Sequence, residues 1–455
     1  MEHLDVIVVG AGISGISAAV HLSRSCPQKK IAMLERRENI GGTWDLFKYP
    51  GVRSDSDMHT LGFSFKPWNA QKSIADGPSI MQYLNETVDE YGLKEKIRFS
   101  HRVVAANWSS ADAQWLLAVD AGGLQKQMSC NFLFMCSGYY SYDEAYDAQI
   151  PGVDSFNGHL VHPQFWPERL DYRGKRVVVI GSGATAVTIV PSMAEGGAQV
   201  TMLQRSPTYM VSMPDRDVIA NFLRKVLPDS WAYALTRFKN VRLQDFFYKR
   251  ARKAPEKVRT QLLRLVKRML PEGYDVAKHF TPRYNPWDQR LCLVPNSDLF
   301  KAIKNGSVEV VTDEIDTVTS DGLRLKSGTK LPADILVTAT GLKLTVLADV
   351  PFTVDGQPID FSDAYTYRGM MYSGVPNLVS TFGYINASWT LRADLTSEWV
   401  GRLLQHMDAA GADRVVPQLR AEDSGMQSLP WIADFPAGYM RRVMHLFPKQ
   451  GAGPW

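Results

Sequence analysis

Asp5-Val6-Ile7-Val8-Val9, then Gly10-Ala11-Gly12-Ile13-Ser14-Gly15, then Ser17-Ala18-Ala19-Val20-His21-Leu22 reads as a strand, a tight turn and a helix. Gly10 and Gly12 allow the turn and a close backbone approach. Gly15 lets the helix lie near the strand, and the helix N-terminus then faces a pyrophosphate. Alone, such a glycine triplet also fits a turn in an unrelated α/β fold. What decides is the next apolar run, Ile31-Ala32-Met33-Leu34, which ends in Glu35. An acid at that place accepts hydrogen bonds from a ribose 2′-hydroxyl.

The chain repeats the pattern. Arg176-Val177-Val178-Val179-Ile180 runs into Gly181-Ser182-Gly183-Ala184-Thr185-Ala186, with the tolerated alanine as third small residue, and Val200-Thr201-Met202-Leu203 matches the second apolar run. Where the first unit has Glu35 the second has Gln204, followed by Arg205, Ser206 and Thr208. An acid there repels a 2′-phosphate, whereas an arginine and hydroxyls accept one. Two sites of opposite ribose chemistry point to FAD at the first loop and NADPH at the second. The fold class is α/β, with two dinucleotide-binding domains and a helical insertion. The expected boundaries are 1–150 and 331–455 for the FAD domain, 151–212 and 283–330 for the NADP domain, and 213–282 for the insertion.

Composition agrees with a multidomain globular chain: 455 residues, 45% hydrophobic, 22% charged, net charge +4. The positive charge is concentrated. Residues 224–268 hold fourteen Lys/Arg against Asp229, Asp245 and Glu256, interleaved with Trp231, Phe238, Phe246 and Phe247. A charge run of this kind is usually a solvated face; the other reading is weak peripheral contact of 222–270 with a membrane surface. No motif supports nucleic-acid binding. Cys26, Cys130, Cys136 and Cys292 match no metal spacing, and no metal site is expected. Cys130 and Cys136 bracket a strand-like run whose ends stand about 20 Å apart, beyond the reach of about 7 Å that a disulfide allows. The first apolar run is too short for a signal peptide or a membrane span, so a cytoplasmic protein is expected, with membrane association as the second expectation.

Between the two units lies chemistry of a different kind. Gly41-Gly42-Thr43-Trp44 lets backbone lie against a flat ring that Trp44 can cover, and Asp55 follows the Tyr49-Pro50-Gly51 turn on a loop. Residues 79–91 suit an amphipathic helix. Ile97-Arg98-Phe99, Val103-Val104-Ala105, 115–119 and 132–135 suit strands of a small sheet packed on the first unit. The stretch from Phe156 through Gly158, His162 and Trp166 to Pro167 is too crowded with Pro, Gly, His and aromatics for regular structure. Its place between the loops suggests a connecting role, and His162 alone is more often a structural histidine than a proton shuttle. Toward the C-terminus, Asn386 or Ser388 suits the N-cap of a long helix.

These residues resemble the class B flavoprotein monooxygenases, specifically the Baeyer–Villiger group. Phe156, Gly158, His162, Trp166 and Pro167 meet its F-x-G-x-x-x-H-x-x-x-W-P fingerprint; Gly41, Gly42, Trp44, Tyr49, Pro50, Gly51 and Asp55 meet the companion motif. Within the group, Tyr284-Asn285-Pro286-Trp287-Asp288-Gln289-Arg290 and Asn386-Ala387-Ser388-Trp389 look like the ethionamide-activating branch of mycobacteria. The resemblance implies that NADPH reduces FAD and O2 forms a flavin C4a-peroxide. One oxygen atom then enters a ketone, giving an ester or lactone, or passes to a sulfide or thioamide. It assigns the catalytic arginine to Arg290 and its orienting carboxylate to Asp55. A peroxy anion and a ketone oxyanion both need a fixed cation. Gln289 stands where many relatives have a 2′-phosphate lysine, which shifts that selectivity toward Arg205. The alternatives are an N/S-oxygenating flavin monooxygenase without ketone activity, and an FAD/NADPH reductase or sensor; the missing C-x-x-C pair speaks against a disulfide reductase.

Overall fold

The computed structural model describes residues 1–289, 291–423, 425–432 and 438–455. Strand β1 (Glu2–Val9) lies between β2 (Ile31–Leu34) and β6 (Leu124–Met135), parallel to both. Its side chains alternate between two cores. Val6 and Val8 enter a core with helix α1 (Ile13–Ser25) and helix α2 (Gly77–Glu90), while Ile7 and Val9 enter the core on the other face. A central parallel strand is covered on both faces, which is why this run is apolar without interruption.

The second unit repeats this. Strand β8 (Arg176–Ile180) sends Val177 and Val179 toward helix α3 (Ala184–Glu195), and Val178 and Ile180 toward a three-stranded antiparallel sheet. Its own sheet is parallel throughout, in the order β12 (Val308–Thr312), β9 (Gln199–Gln204), β8, β16 (Ile335–Thr338) and β7 (His159–Val161). Because β16 belongs here, the chain leaves the second sheet after Thr338, later than the expected boundary at 330.

Two sequence expectations need correcting. The strands after α2 are not a separate sheet packed on the first unit; they extend the same nine-stranded sheet. Strand β6 serves both parts, pairing antiparallel with β5 (Gln114–Ala121) up to Cys130 and parallel with β1 from Met128 to Met135. Where β5 leaves, Leu378–Ser380 takes over the vacated edge. Nor is the fingerprint stretch wholly irregular. His159–Val161 pairs with β16 as an edge strand, since an edge needs only one side of its backbone bonded and tolerates polar neighbours.

The insertion consists of helices α4 (Val218–Val226), α5 (Asp229–Lys253) and α6 (Pro255–Met269). The long C-terminal helix α8 (Trp389–Ala410) follows the shorter α7 (Asp298–Lys304), and it crosses α1 closely at Gly401, where a Cβ would stand 2.4 Å from Ser25 Oγ. Ser388 sits at the N-cap position of α8 as expected, but its hydroxyl bonds Thr60 Oγ1 (2.6 Å) instead of capping. Among the described residues no helix is long and apolar enough to cross a membrane, and all four cysteines are buried free thiols.

The buried Asp394 ties four elements together. It accepts hydrogen bonds from Ser17 Oγ (2.7 Å) and Ser64 N (2.7 Å), and it stands 3.6 Å from both His21 Nε2 and Arg237 Nη2 of the insertion. Burial alone would raise its pKa; His21, Ser17 and the Ser64 N–H outweigh it and hold the carboxyl below the ordinary range. A lowered carboxylate stabilises above the unfolded pKa of about 3.9 and loses that contribution as pH falls through its folded value. We expect Asp394→Ala to cost about 3 kcal/mol by urea denaturation at pH 7. The gap to wild type should shrink as the pH approaches 3, and a gap constant with pH would contradict the assignment.

Candidate functional site

The first glycine loop is built by close contact. Gly10 has φ +105°, and a Cβ there would lie 2.6 Å from Cys136 O; one on Gly15 would lie 1.9 Å from Gly10 O. Gly12 precedes α1 and no side chain caps that helix, so its first N–H groups remain available to a phosphate. Glu35 is buried at the end of β2. Its Oε2 accepts from Ala11 N (2.8 Å) and its Oε1 from Arg37 N (2.9 Å), which leaves a lone pair on each oxygen for a hydroxyl. Burial pushes its pKa up against those two bonds.

The Gly41–Gly42 turn lies across this loop, with Gly41 N donating to Ala11 O (3.0 Å) and Gly42 close to the Gly12 Cα. Thr43 and Trp44 open the helical turn Thr43–Leu46. Three residues to which the sequence reading gave no role join here. Arg37 bonds Asp45 Oδ2 (2.6 Å) and faces the Tyr142 ring (5.7 Å); Tyr142, hydrogen-bonded to Thr43, is pushed up to about 12 by burial. Trp389 stacks on Tyr139 (5.2 Å, 10°) and donates to Ser14 Oγ (2.7 Å). Trp389 was within a quoted stretch; nothing local in the sequence marked Tyr142.

In the second loop Gly181 has φ +135°, and a Cβ there would meet Ala339 O at 2.4 Å. Gly183 precedes the uncapped start of α3, and Ala186 is fully buried against the core. Ser182 Oγ donates to Ser206 O (3.0 Å) and pairs with Thr208 Oγ1 (2.9 Å), drawing the loop onto the 206–208 segment. Gln204 is buried, its amide given to His279 O (2.7 Å) and Thr312 Oγ1 (2.9 Å), while Arg205 and Ser206 are exposed. The glycine cradles and uncapped helix starts therefore fit two dinucleotides, the acid at one and the exposed arginine at the other.

From the Gly41–Gly42 turn at the first loop the chain reaches the second unit at residues 49–53. Gly51 (φ +76°) packs on α3 so closely that a Cβ would stand 1.9 Å from Ser192 Oγ, and the Tyr49 hydroxyl bonds Thr185. Burial pushes Tyr49 up to about 12, and the charge of Asp55 adds to the rise. Asp55 is exposed on a bend, and Arg53 binds Asp298 (2.5 Å) of α7. Arg290 lies outside the described residues. Its neighbour Gln289 is half-buried and bridges to Pro286, and Asp288 binds Arg252 (2.7 Å) of the insertion.

His162 is half-buried with both ring nitrogens engaged: Nδ1 accepts from Gln164 N (3.2 Å), so Nε2 carries the proton to Gly341 O (3.2 Å). Burial lowers its pKa. These bonds join the end of β7 to the turn after β16.

The sequence profile of the flavin-binding monooxygenase-like family matches residues 4–346. The chain belongs to that family. It is 54% identical over 456 residues to the FAD-containing monooxygenase EthA of Mycobacterium tuberculosis, covering 100% of this chain and 93% of that one. Its fold is that of ε-caprolactone-bound cyclohexanone monooxygenase (TM-score 0.78, 22% identity, 93% of this chain and 91% of the other). It is also that of oxidized steroid monooxygenase bound to NADP (TM-score 0.77, 23% identity, 92% and 88%). The resemblance carried by the two fingerprints agrees with these likenesses, and this family member is a flavoprotein monooxygenase.

With both nitrogens bonded to backbone, His162→Ala should lower stability by about 1–2 kcal/mol. If the bond to Gly341 also couples the two units, it should raise the fraction of NADPH consumed as hydrogen peroxide. A peroxide assay beside a melting curve separates these, and unchanged coupling leaves only the structural role.

Proposed function

We propose that this protein is an FAD-dependent, NADPH-using Baeyer–Villiger monooxygenase that inserts one oxygen atom of O2 into ketones and also oxidises sulfides and thioamides. The observation that carries the reading is the path of residues 41–55. Gly42 lies against Gly12 of the first loop and Gly51 against α3 of the second unit, which supports reading Asp55, a few residues on, as a residue near the meeting point of the two cofactors. EthA, described as FAD-containing, and the NADP-bound steroid monooxygenase support the cofactor pair.

In this reading Gly10, Gly12, Gly15 and the α1 N-terminus hold the FAD pyrophosphate, Glu35 its ribose, and Gly42, Thr43, Trp44 and Asp55 line the flavin side. Gly181, Gly183 and Ala186 hold the NADPH pyrophosphate, and Arg205, Ser206 and Gln289 receive its 2′-phosphate end. The flavin, when bound and reduced, supplies the activation of O2. Arg290, oriented by Asp55, supplies the positive charge that stabilises oxyanions in the reaction. The domain assignment goes with it: 1–150 and 339–455 for FAD, 151–212 and 283–338 for NADP, and 213–282 as the insertion, with β16 supporting the shifted boundary.

The decisive experiment is product analysis of aerobic, NADPH-driven incubations with linear, cyclic and aryl ketones and a thioether. Esters or lactones support the reading; sulfoxide alone assigns the chain to the N/S-oxygenating kind. Arg290→Ala should leave flavin reduction by NADPH within about twofold and abolish ester formation, and full ketone turnover in that variant removes Arg290 from the chemistry. NADPH should reduce the flavin at least about tenfold faster than NADH, a difference of about 1.4 kcal/mol. Arg205→Ala should erase most of that preference, and equal wild-type rates with the two coenzymes would refute the assignment of the second site.

A further inference from the structure

Helix α5 is built inside out. Its inward face is polar. The Tyr233 hydroxyl donates to Phe63 O (2.8 Å), and Arg237 Nη1 serves the carbonyls of His59 (3.1 Å), Thr60 (3.3 Å) and Gly62 (2.9 Å). Asn240 and Gln244 donate to the two oxygens of Asp57 (3.0 and 3.1 Å). The outward face is apolar: Trp231 is 67% exposed, Leu235 46%, Phe238 66% and Phe246 56%, at the four–three spacing of one helical stripe with only Arg242 within it. The neighbouring α4 also exposes large apolar side chains, Phe222 (60%) and Val226 (56%). An ordinary surface helix turns its apolar side to the core, and an exposed aromatic patch of this extent marks a contact surface.

The charges around the patch choose the occupant. The stripe ends in Lys249 and Lys253 with Arg250 beside them, all exposed, and α5 and α6 together carry twelve Lys/Arg against three acids. A second copy meeting this face would bring the same positive charge against itself. An anionic surface with an apolar layer beneath it accepts both features, the aromatics entering the acyl boundary and the cations staying at the headgroups.

We propose that the outward face of α4 and α5 docks this enzyme on anionic lipid bilayers. The inference does not depend on the ketone chemistry. The face turns away from the contacts with 57–63, so docking leaves those hydrogen bonds intact.

The test is co-sedimentation of the FAD-loaded full chain with large unilamellar vesicles, one set phosphatidylcholine and the other 30% phosphatidylglycerol (about the anionic share needed for a marked surface potential). Binding should be confined to the anionic set and weaken several-fold on raising salt from about 50 to about 500 mM. Phe238→Ser with Phe246→Ser should cut binding roughly tenfold while NADPH oxidation and melting temperature stay unchanged, because both side chains are exposed. Lys249→Glu with Lys253→Glu should reduce binding and its salt dependence together. Failure to sediment with anionic vesicles at low salt overturns the proposal. So does full binding by the double serine variant, or light scattering showing that this face instead pairs two copies of the chain.

Discussion

A single buried carboxylate holds the helices of the first unit, the insertion and the C-terminal helix in one arrangement. Asp394 belongs to α8, yet its partners come from α1, from the loop at Ser64 and from α5. A buried charge is costly unless several groups compensate it, and here the compensating groups come from three different segments, Ser17 and His21 from α1, Ser64 from its loop and Arg237 from α5. Arg237 extends the link, since the guanidinium facing Asp394 also collects three backbone carbonyls of the 59–62 turn. That turn begins four residues after Asp55. The insertion is therefore fastened to the chain that follows the proposed orienting carboxylate, at Asp57 and the 59–62 turn.

The nucleotide units were legible because their signals are steric and local. Gly10 and Gly15 stand where a Cβ would collide with backbone, so the glycines could be read as contacts before any contact was seen. The division of β1 between two cores was likewise written in its unbroken apolar run. The continuity of the large sheet was not. Strand β6 changes partner along its length, and its second partner, Leu378–Ser380, arrives from more than two hundred residues away. No window of sequence contains that pairing. Tyr142 escaped for the same reason: its neighbours Thr43 and Arg37 are distant in the chain, and a tyrosine after a strand end carries no signal of its own.

The fingerprint stretch shows that a motif can diagnose a family without marking its chemistry. Gly158 leaves room beside Asp334 O, where a Cβ would stand 2.4 Å away, and His162 fastens the strand end to Gly341. Those are demands of an edge strand that must join a parallel sheet and then turn sharply through Pro163. At Gly158 and His162 these demands are met by close packing and backbone bonding. The residues proposed for the chemistry, Asp55 and Arg290, fall outside this stretch in the sequence.

The difference between the two ribose sites goes deeper than the exchange of Glu35 for Gln204. In the first unit both carboxylate oxygens accept backbone N–H groups, so the site is wired for an acid. In the second, the same position donates, giving its amide N–H groups to His279 O and to Thr312 Oγ1, and Thr312 pairs in turn with His279 Nδ1. A glutamate at 204 would set a carboxylate oxygen against the His279 carbonyl, two acceptors with no proton between them, in a buried place. The amide is thus bound to the helix Val276–Phe280 behind it, so in the proposed second site the absence of an acid at 204 is favoured from the far side, independently of the role proposed for Arg205.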